Sequence, residues 1–90
     1  MPQSPLQRLY EAVLARRGAD PRASRTAKLL AAGRNKMAQK LGEEAIEVAI
    51  DAARGNRSAV IEESADLLYH LVVLWAEMGI EPEEIWAEME

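Results

Sequence analysis

The chain predicts an all-α fold, built on an antiparallel helical hairpin and completed to a multi-helix bundle of the four-helix type. Three observations carry that expectation. Ala, Leu, Glu and Arg dominate and Phe is absent, a composition that favours helix over strand. Apolar residues recur three and four apart, with almost no apolar–polar alternation. The chain has only 90 residues, a size at which a domain folding alone buries a modest share of its surface. A second copy is expected to complete the bundle, giving a homodimer around a single domain over residues 1–90.

The elements follow in order. Leu6, Leu9, Tyr10, Val13 and Leu14 lie on one side of a first helix, which ends before "RRGADP", where Gly18 and Pro21 oppose continuation. Ser24 caps a short second helix, "RTAKLLAA", closed by Gly33. A third helix is expected over 35–54, with Met37, Leu41, Ala45, Val48 and Ala52 on its apolar side. Gly42 falls inside it and marks either a close approach by a neighbour or a local weakness of about 1 kcal/mol relative to alanine. In "RGNRS", Gly55 suits a left-handed cap and Asn56 suits the next N-cap. The fourth helix runs from Arg57 or Ser58 to about Met78. Its segment "LLYHLVVLWA" is apolar on nearly every side, so it requires burial from several directions. Gly79 ends it, and Glu81 with Pro82 opens a last helix carrying Ile85, Trp86 and Met89.

The net charge of -4 conceals a division along the chain. Residues 1–40 carry nine Lys or Arg against two acids, and 41–90 carry two against thirteen. The first part suits phosphates and the second suits a cation. Nucleic-acid binding is disfavoured, because the acidic part opposes a polyanion and no nucleic-acid motif is present. With no cysteine, neither disulfides nor thiolate metal sites are available, and a reducing, cytoplasmic compartment is expected. No apolar run approaches the ~20 residues of a membrane span, and "MPQSPLQRLYEA" lacks the apolar core of a signal peptide, so no membrane partner is expected.

Residues three, four and seven apart share a helix face. That rule aligns Lys36, Lys40, Glu44, Glu47 and Asp51 on the third helix, and Glu63, Asp66, His70 and Glu77 on the fourth. The short turn makes the helices antiparallel neighbours, with Glu44 and Glu47 at the level of Glu63 and Asp66. Facing carboxylates repel and raise one another's pKa unless a cation lies between them. Oxygen donors without Cys suit Mg²⁺, with Mn²⁺ as a substitute, and a site of this kind engages a substrate phosphate. Lys36 and Lys40 stand where phosphates near such a metal would lie. Lys40 can instead pair with Glu44, and a water activated by Glu43 or Glu47 needs no covalent nucleophile. His70, four residues after Asp66, can hydrogen-bond to it, in a substrate contact or in support of the ligands. Tyr69 and the two tryptophans read as packing residues.

The segment "KMAQKLGEEAIEVAIDAARGNRSAVIEESADLLYHLVVLWAEMGI" resembles the phosphoribosyl-ATP pyrophosphohydrolases of histidine biosynthesis, within the all-alpha, MazG-like nucleotide pyrophosphohydrolases. The likeness extends to "RRGADPRASRTAKLLAAG" and so covers nearly the whole chain. The superfamily pattern of Glu-Glu-x-x-Glu and then Glu-x-x-Asp is met by Glu43, Glu44, Glu47, Glu63 and Asp66. "DLLYH" is the narrower mark of the histidine-pathway branch. The resemblance implies a Mg²⁺-dependent cytoplasmic homodimer that hydrolyses phosphoribosyl-ATP to phosphoribosyl-AMP and pyrophosphate. It implies Glu44, Glu47, Glu63 and Asp66 as metal ligands, with Glu43 a ligand, base or orienting group. It also implies Ser24, Thr26, Lys28, Arg34, Lys36, Lys40 and His70 on the nucleotide substrate. Family members usually carry an aromatic residue between that Ser and Thr, where this chain has Arg25.

Two other readings share parts of this pattern. A house-cleaning nucleoside triphosphate pyrophosphohydrolase would use the same metal residues on a broader set of nucleotides. A catalytically inactive helical dimerisation module would need only the apolar fourth helix.

Overall fold

The computed structural model describes residues 4–90, and among them every regular element is helical. Five helices follow in the expected order: α1 (Pro5–Ala15), α2 (Arg25–Ala32), α3 (Arg34–Ala53), α4 (Arg57–Met78) and α5 (Pro82–Met89). Side-chain caps set several of the boundaries. Ser4, Ser24 and Asn56 each accept a backbone N–H from the first turn of the helix that follows, satisfying a donor that has no partner within the helix. Glu81 and Glu84 form a reciprocal capping box, with Pro82 in the first turn of α5. α3 begins one residue earlier than expected, because Gly33 serves as both the C-cap of α2 and the N-cap of α3. Its φ of 96° lies where a side chain would be strained, and this lets the chain turn between the helices without a linker.

α3 and α4 form the antiparallel hairpin, and α1, α2 and α5 pack around its open end. The core gathers there: Val72, Val73 and Ala76 of α4 are fully buried, against Tyr10 and Val13 of α1, Leu29 of α2 and Met37 of α3. Trp75 meets Trp86 of α5 edge to face at 6.4 Å, a favoured arrangement for two ring quadrupoles.

The expected apolar side of α3 is buried only at its start. Met37 is enclosed, Leu41 and Val48 are half-buried, and Ala45 and Ala52 are exposed. Toward the hairpin tip, α3 and α4 have only each other for cover. Ile46 (62 % exposed), Ile61 (55 %), Leu68 (47 %) and Ile50 (46 %) therefore remain uncovered on the outer sides of the two helices. Gly42 receives no close neighbour within the chain, since a Cβ there would meet nothing within 4 Å.

Candidate active site

The α3–α4 hairpin holds the candidate ligands. Glu44 of α3 faces Glu63 and Asp66 of α4, and one carboxylate oxygen from each lies within 4.8 Å of the others. All three are half-buried, so water screens their repulsion only partly. Oxygens around a Mg²⁺ at about 2.1 Å lie roughly 3.0 to 4.2 Å apart, so small side-chain rotations are enough to close the cluster on such an ion.

Glu47, one turn beyond Glu44, meets Glu63 through a hydrogen bond between carboxyl groups. Bonds to Glu47 and then to Glu44, followed by desolvation and the repulsion of both charges, push the Glu63 carboxyl up to about 7. A proton on Glu63 lets it donate to its neighbours. Once that proton is lost nothing in the cluster can donate, and the buried Glu44 Oε2 has no hydrogen-bond partner. A buried carboxylate oxygen without a donor is costly and calls for a cation, so these residues fit a hard divalent ion.

Glu43 lies apart from this cluster. Half-exposed on the outer side of α3, it pairs with Lys40 at 3.9 Å and accepts a bond from Gln39 at 3.4 Å. The pairing partner of Lys40 is therefore Glu43, three residues on, rather than Glu44.

A cavity of about 220 Å³ adjoins the cluster, lined by Arg25, Lys28, Lys36, Lys40, Glu44 and His70 over an apolar floor of Leu29 and Ala32. Lys28 projects from α2 and Lys36 and Lys40 from α3, so two helices bring three lysines beside a candidate metal ligand. His70 is buried to 3 % exposure, and its Nε2 lies 4.0 Å from Glu44 Oε1 and 3.5 Å from Arg25 Nη2. Its polar neighbours thus lie across the helices, in place of the Asp66 contact expected one turn away. A guanidinium can only donate, so His70 Nε2 accepts from Arg25 and its proton resides on Nδ1. Burial first, and the Arg25 charge second, hold the imidazole pKa below its ordinary value, in keeping with a neutral ring.

The remaining expected residues divide between the site and the scaffold. Ser24 Oγ accepts the Ala27 N–H at 3.2 Å as the cap of α2. Thr26 Oγ1 shares a 2.6 Å hydrogen bond with Tyr69 Oη, giving Tyr69 a polar role beyond packing. Both Ser24 and Thr26 line a second cavity, on the α1 side of Arg25. Arg34 is not brought to the carboxylates: its guanidinium lies 4.0 Å from Glu77 Oε1, and Glu77 lines a different cavity with Arg17 and Leu30. Arg25, which the sequence marks only as a departure, lies in the first turn of α2, stacks 4.8 Å above the Tyr69 ring and lines two cavities. Nothing local in "SRT" signals that position, because it depends on how α2 crosses α4.

Comparison with known proteins gives a consistent result. The family model described as phosphoribosyl-ATP pyrophosphohydrolase matches residues 6–90. Over 84 residues, 93 % of this chain, it is 67 % identical to phosphoribosyl-ATP pyrophosphatase 2 of Rhodopseudomonas palustris, covering 64 % of that protein. It is 57 % identical to phosphoribosyl-ATP pyrophosphatase of Gluconobacter oxydans over the same share of the chain and 63 % of that protein. For the phosphoribosyl-ATP pyrophosphatase of Azospirillum brasilense the identity is again 57 %, over 76 % of that protein. The chain thus spans slightly less than two thirds of the first two relatives.

Proposed function

Because the chain belongs to the phosphoribosyl-ATP pyrophosphohydrolase family, we propose that it hydrolyses the α-β phosphoanhydride of phosphoribosyl-ATP, releasing phosphoribosyl-AMP and pyrophosphate. The observation that carries this reading is the adjacency of the Glu44–Glu63–Asp66 cluster to a cavity with three lysines. A carboxylate cluster alone would serve many ends. Beside Lys28, Lys36 and Lys40 it provides what a polyphosphate requires: cations for its non-bridging oxygens and acids for its metal.

Glu44, Glu63 and Asp66 would hold Mg²⁺, or Mn²⁺ in its place, with Glu47 close enough to join them. The ion, when bound, supplies charge neutralisation on the phosphates undergoing cleavage. Lys36 and Lys40, on the face of α3 that leads to Glu44, would grip the phosphate chain and orient it. Glu47 is the preferred proton acceptor for the attacking water, since it touches Glu63, whereas Glu43 is engaged by Lys40. Water adds its oxygen to phosphorus, its proton passes to the carboxylate, and the bridging P–O bond breaks. His70, neutral beside Arg25, would accept from that guanidinium and hold it at the wall of the cavity without adding a charge.

The same reading places the protein in the cytoplasm as a single-domain homodimer, the second copy covering Ile46, Ile50, Ile61 and Leu68. Among the described residues, no helix is long and apolar enough to cross a membrane. The test is pyrophosphate release from phosphoribosyl-ATP and from a panel of nucleoside triphosphates, each with Mg²⁺ and with chelator. Metal-dependent release confined to phosphoribosyl-ATP is the expected result. Release from the whole panel would move the chain to a broader nucleotide pyrophosphohydrolase, and no release from any would leave a helical dimerisation module.

A further inference from the structure

The second cavity, about 380 Å³ in volume, lies between α1 and α2 and is lined by Leu9, Val13, Arg16, Ser24, Arg25, Thr26 and Tyr69 among others. Its size falls in the range of small-ligand pockets. Its lining includes two arginines and no carboxylate, and among the described residues neither Arg16 nor Arg25 forms an ion pair. A cleft lined by one sign of charge concentrates ligands of the other sign. Without acidic groups it offers nothing to a metal ion, in contrast to the neighbouring cavity, whose lining includes Glu44.

Arg25 belongs to both cavities, and its position is constrained on two sides. Its guanidinium stacks over Tyr69 at 4.8 Å and Nη2 reaches His70 Nε2 at 3.5 Å. The Tyr69 ring is anchored in turn by the 2.6 Å bond between its hydroxyl and Thr26. A guanidinium held over an aromatic ring keeps its remaining N–H groups free, the arrangement suited to bidentate recognition of a phosphate.

We infer that this second cavity is a metal-free subsite for a phosphomonoester: Arg25, with Arg16, binds the terminal phosphate of the substrate's second ribose while the triphosphate chain lies beside the carboxylates. The inference rests on the proposed activity, because phosphoribosyl-ATP carries a phosphate on its second ribose as well as its triphosphate, whereas an ordinary nucleoside triphosphate has only the latter. Arg25, as the shared wall, then selects this substrate over an ordinary nucleoside triphosphate.

The test compares wild type, Arg25→Gln, Arg25→Lys and Arg16→Gln on two substrates: phosphoribosyl-ATP, and the ribosyl-ATP analogue that lacks only the phosphate of the second ribose. Circular dichroism melts confirm folding of each variant. Loss of a charge-assisted phosphate contact is expected to raise KM for phosphoribosyl-ATP roughly 10- to 100-fold in Arg25→Gln, with kcat changed by less than about threefold. The penalty on the analogue is expected to be at least about tenfold smaller, because the contact is already missing there. Arg25→Lys should fall between wild type and Arg25→Gln, and Arg16→Gln should repeat the substrate dependence. Equal penalties on the two substrates, or no penalty on either, would overturn the subsite. Failure of the wild type to hydrolyse phosphoribosyl-ATP at all would instead overturn the proposed activity, and this inference with it.

Discussion

Glu63 on α4 meets Glu47 on α3 through a hydrogen bond between their carboxyl groups, and this contact is the largest cause of a Glu63 pKa raised from 4.5 to about 7. A carboxyl group whose folded-state pKa lies above its unfolded value favours the folded state while it is protonated. That contribution is complete below about pH 4.5 and is lost as pH rises through about 7. Metal-free protein is therefore expected to melt at a lower temperature at pH 8 than this group would allow at pH 5. Glu63→Gln, which donates a hydrogen bond without ionising, should remove this dependence and melt above wild type at pH 8 in chelator. Melting curves of both proteins across pH 5–8 provide the check; parallel curves would show that Glu63 is not the titrating group.

The same proton links acidity to the metal. Binding of a hard cation requires the ionised carboxylate, so Mg²⁺ should bind more weakly as pH falls below about 7, where Glu63 holds its proton. At pH 7 binding should release about half a proton from this residue. Titration calorimetry in two buffers of different ionisation enthalpy measures that release directly. Heats independent of buffer would mean that the ion does not meet Glu63.

Tyr69→Phe separates the two roles of that side chain. The variant keeps the ring beneath Arg25 and deletes the hydroxyl bonded to Thr26. Loss of one part-buried hydrogen bond is expected to cost about 1 kcal/mol in denaturant unfolding. An unchanged midpoint would show that water replaces the Thr26 partner at no net cost.

The structure explains why parts of this site were legible in the sequence and others were not. Ser24, Asn56, Gly79 and Pro82 announce helix boundaries through chemistry within one turn, so the five helices could be placed to within a residue or two. Glu44, Glu63 and Asp66 were legible because helical spacing fixes a face and a short turn fixes the level at which two faces meet. Pairs that depend on how separate helices cross were not. Arg25 on Tyr69, His70 against Glu44 and Arg34 with Glu77 each join residues more than 25 positions apart. The burial of α3 was overestimated for a related reason: periodicity shows which side of a helix is apolar but not whether another element covers it.

Those uncovered side chains lead to a prediction about assembly. Ile46 and Ile50 lie one turn apart on α3, and Ile61 and Leu68 lie two turns apart on α4, all at least 46 % exposed. Large aliphatic side chains exposed in this number on a small chain mark an association surface, and a second copy offers the same side chains, as a two-fold interface requires. Wild type should therefore sediment as a dimer, and Ile46→Lys, which places a charge among the exposed aliphatic side chains of α3, should shift it toward monomer. Burying an aliphatic side chain of this size is worth roughly 1.5 to 3 kcal/mol. Two copies of the substitution in one symmetric interface should thus weaken the dimer by at least a hundredfold. Analytical ultracentrifugation over a range of concentrations reads that change. A wild type that remains monomeric at high micromolar concentration would show that these side chains do not form a homodimer interface.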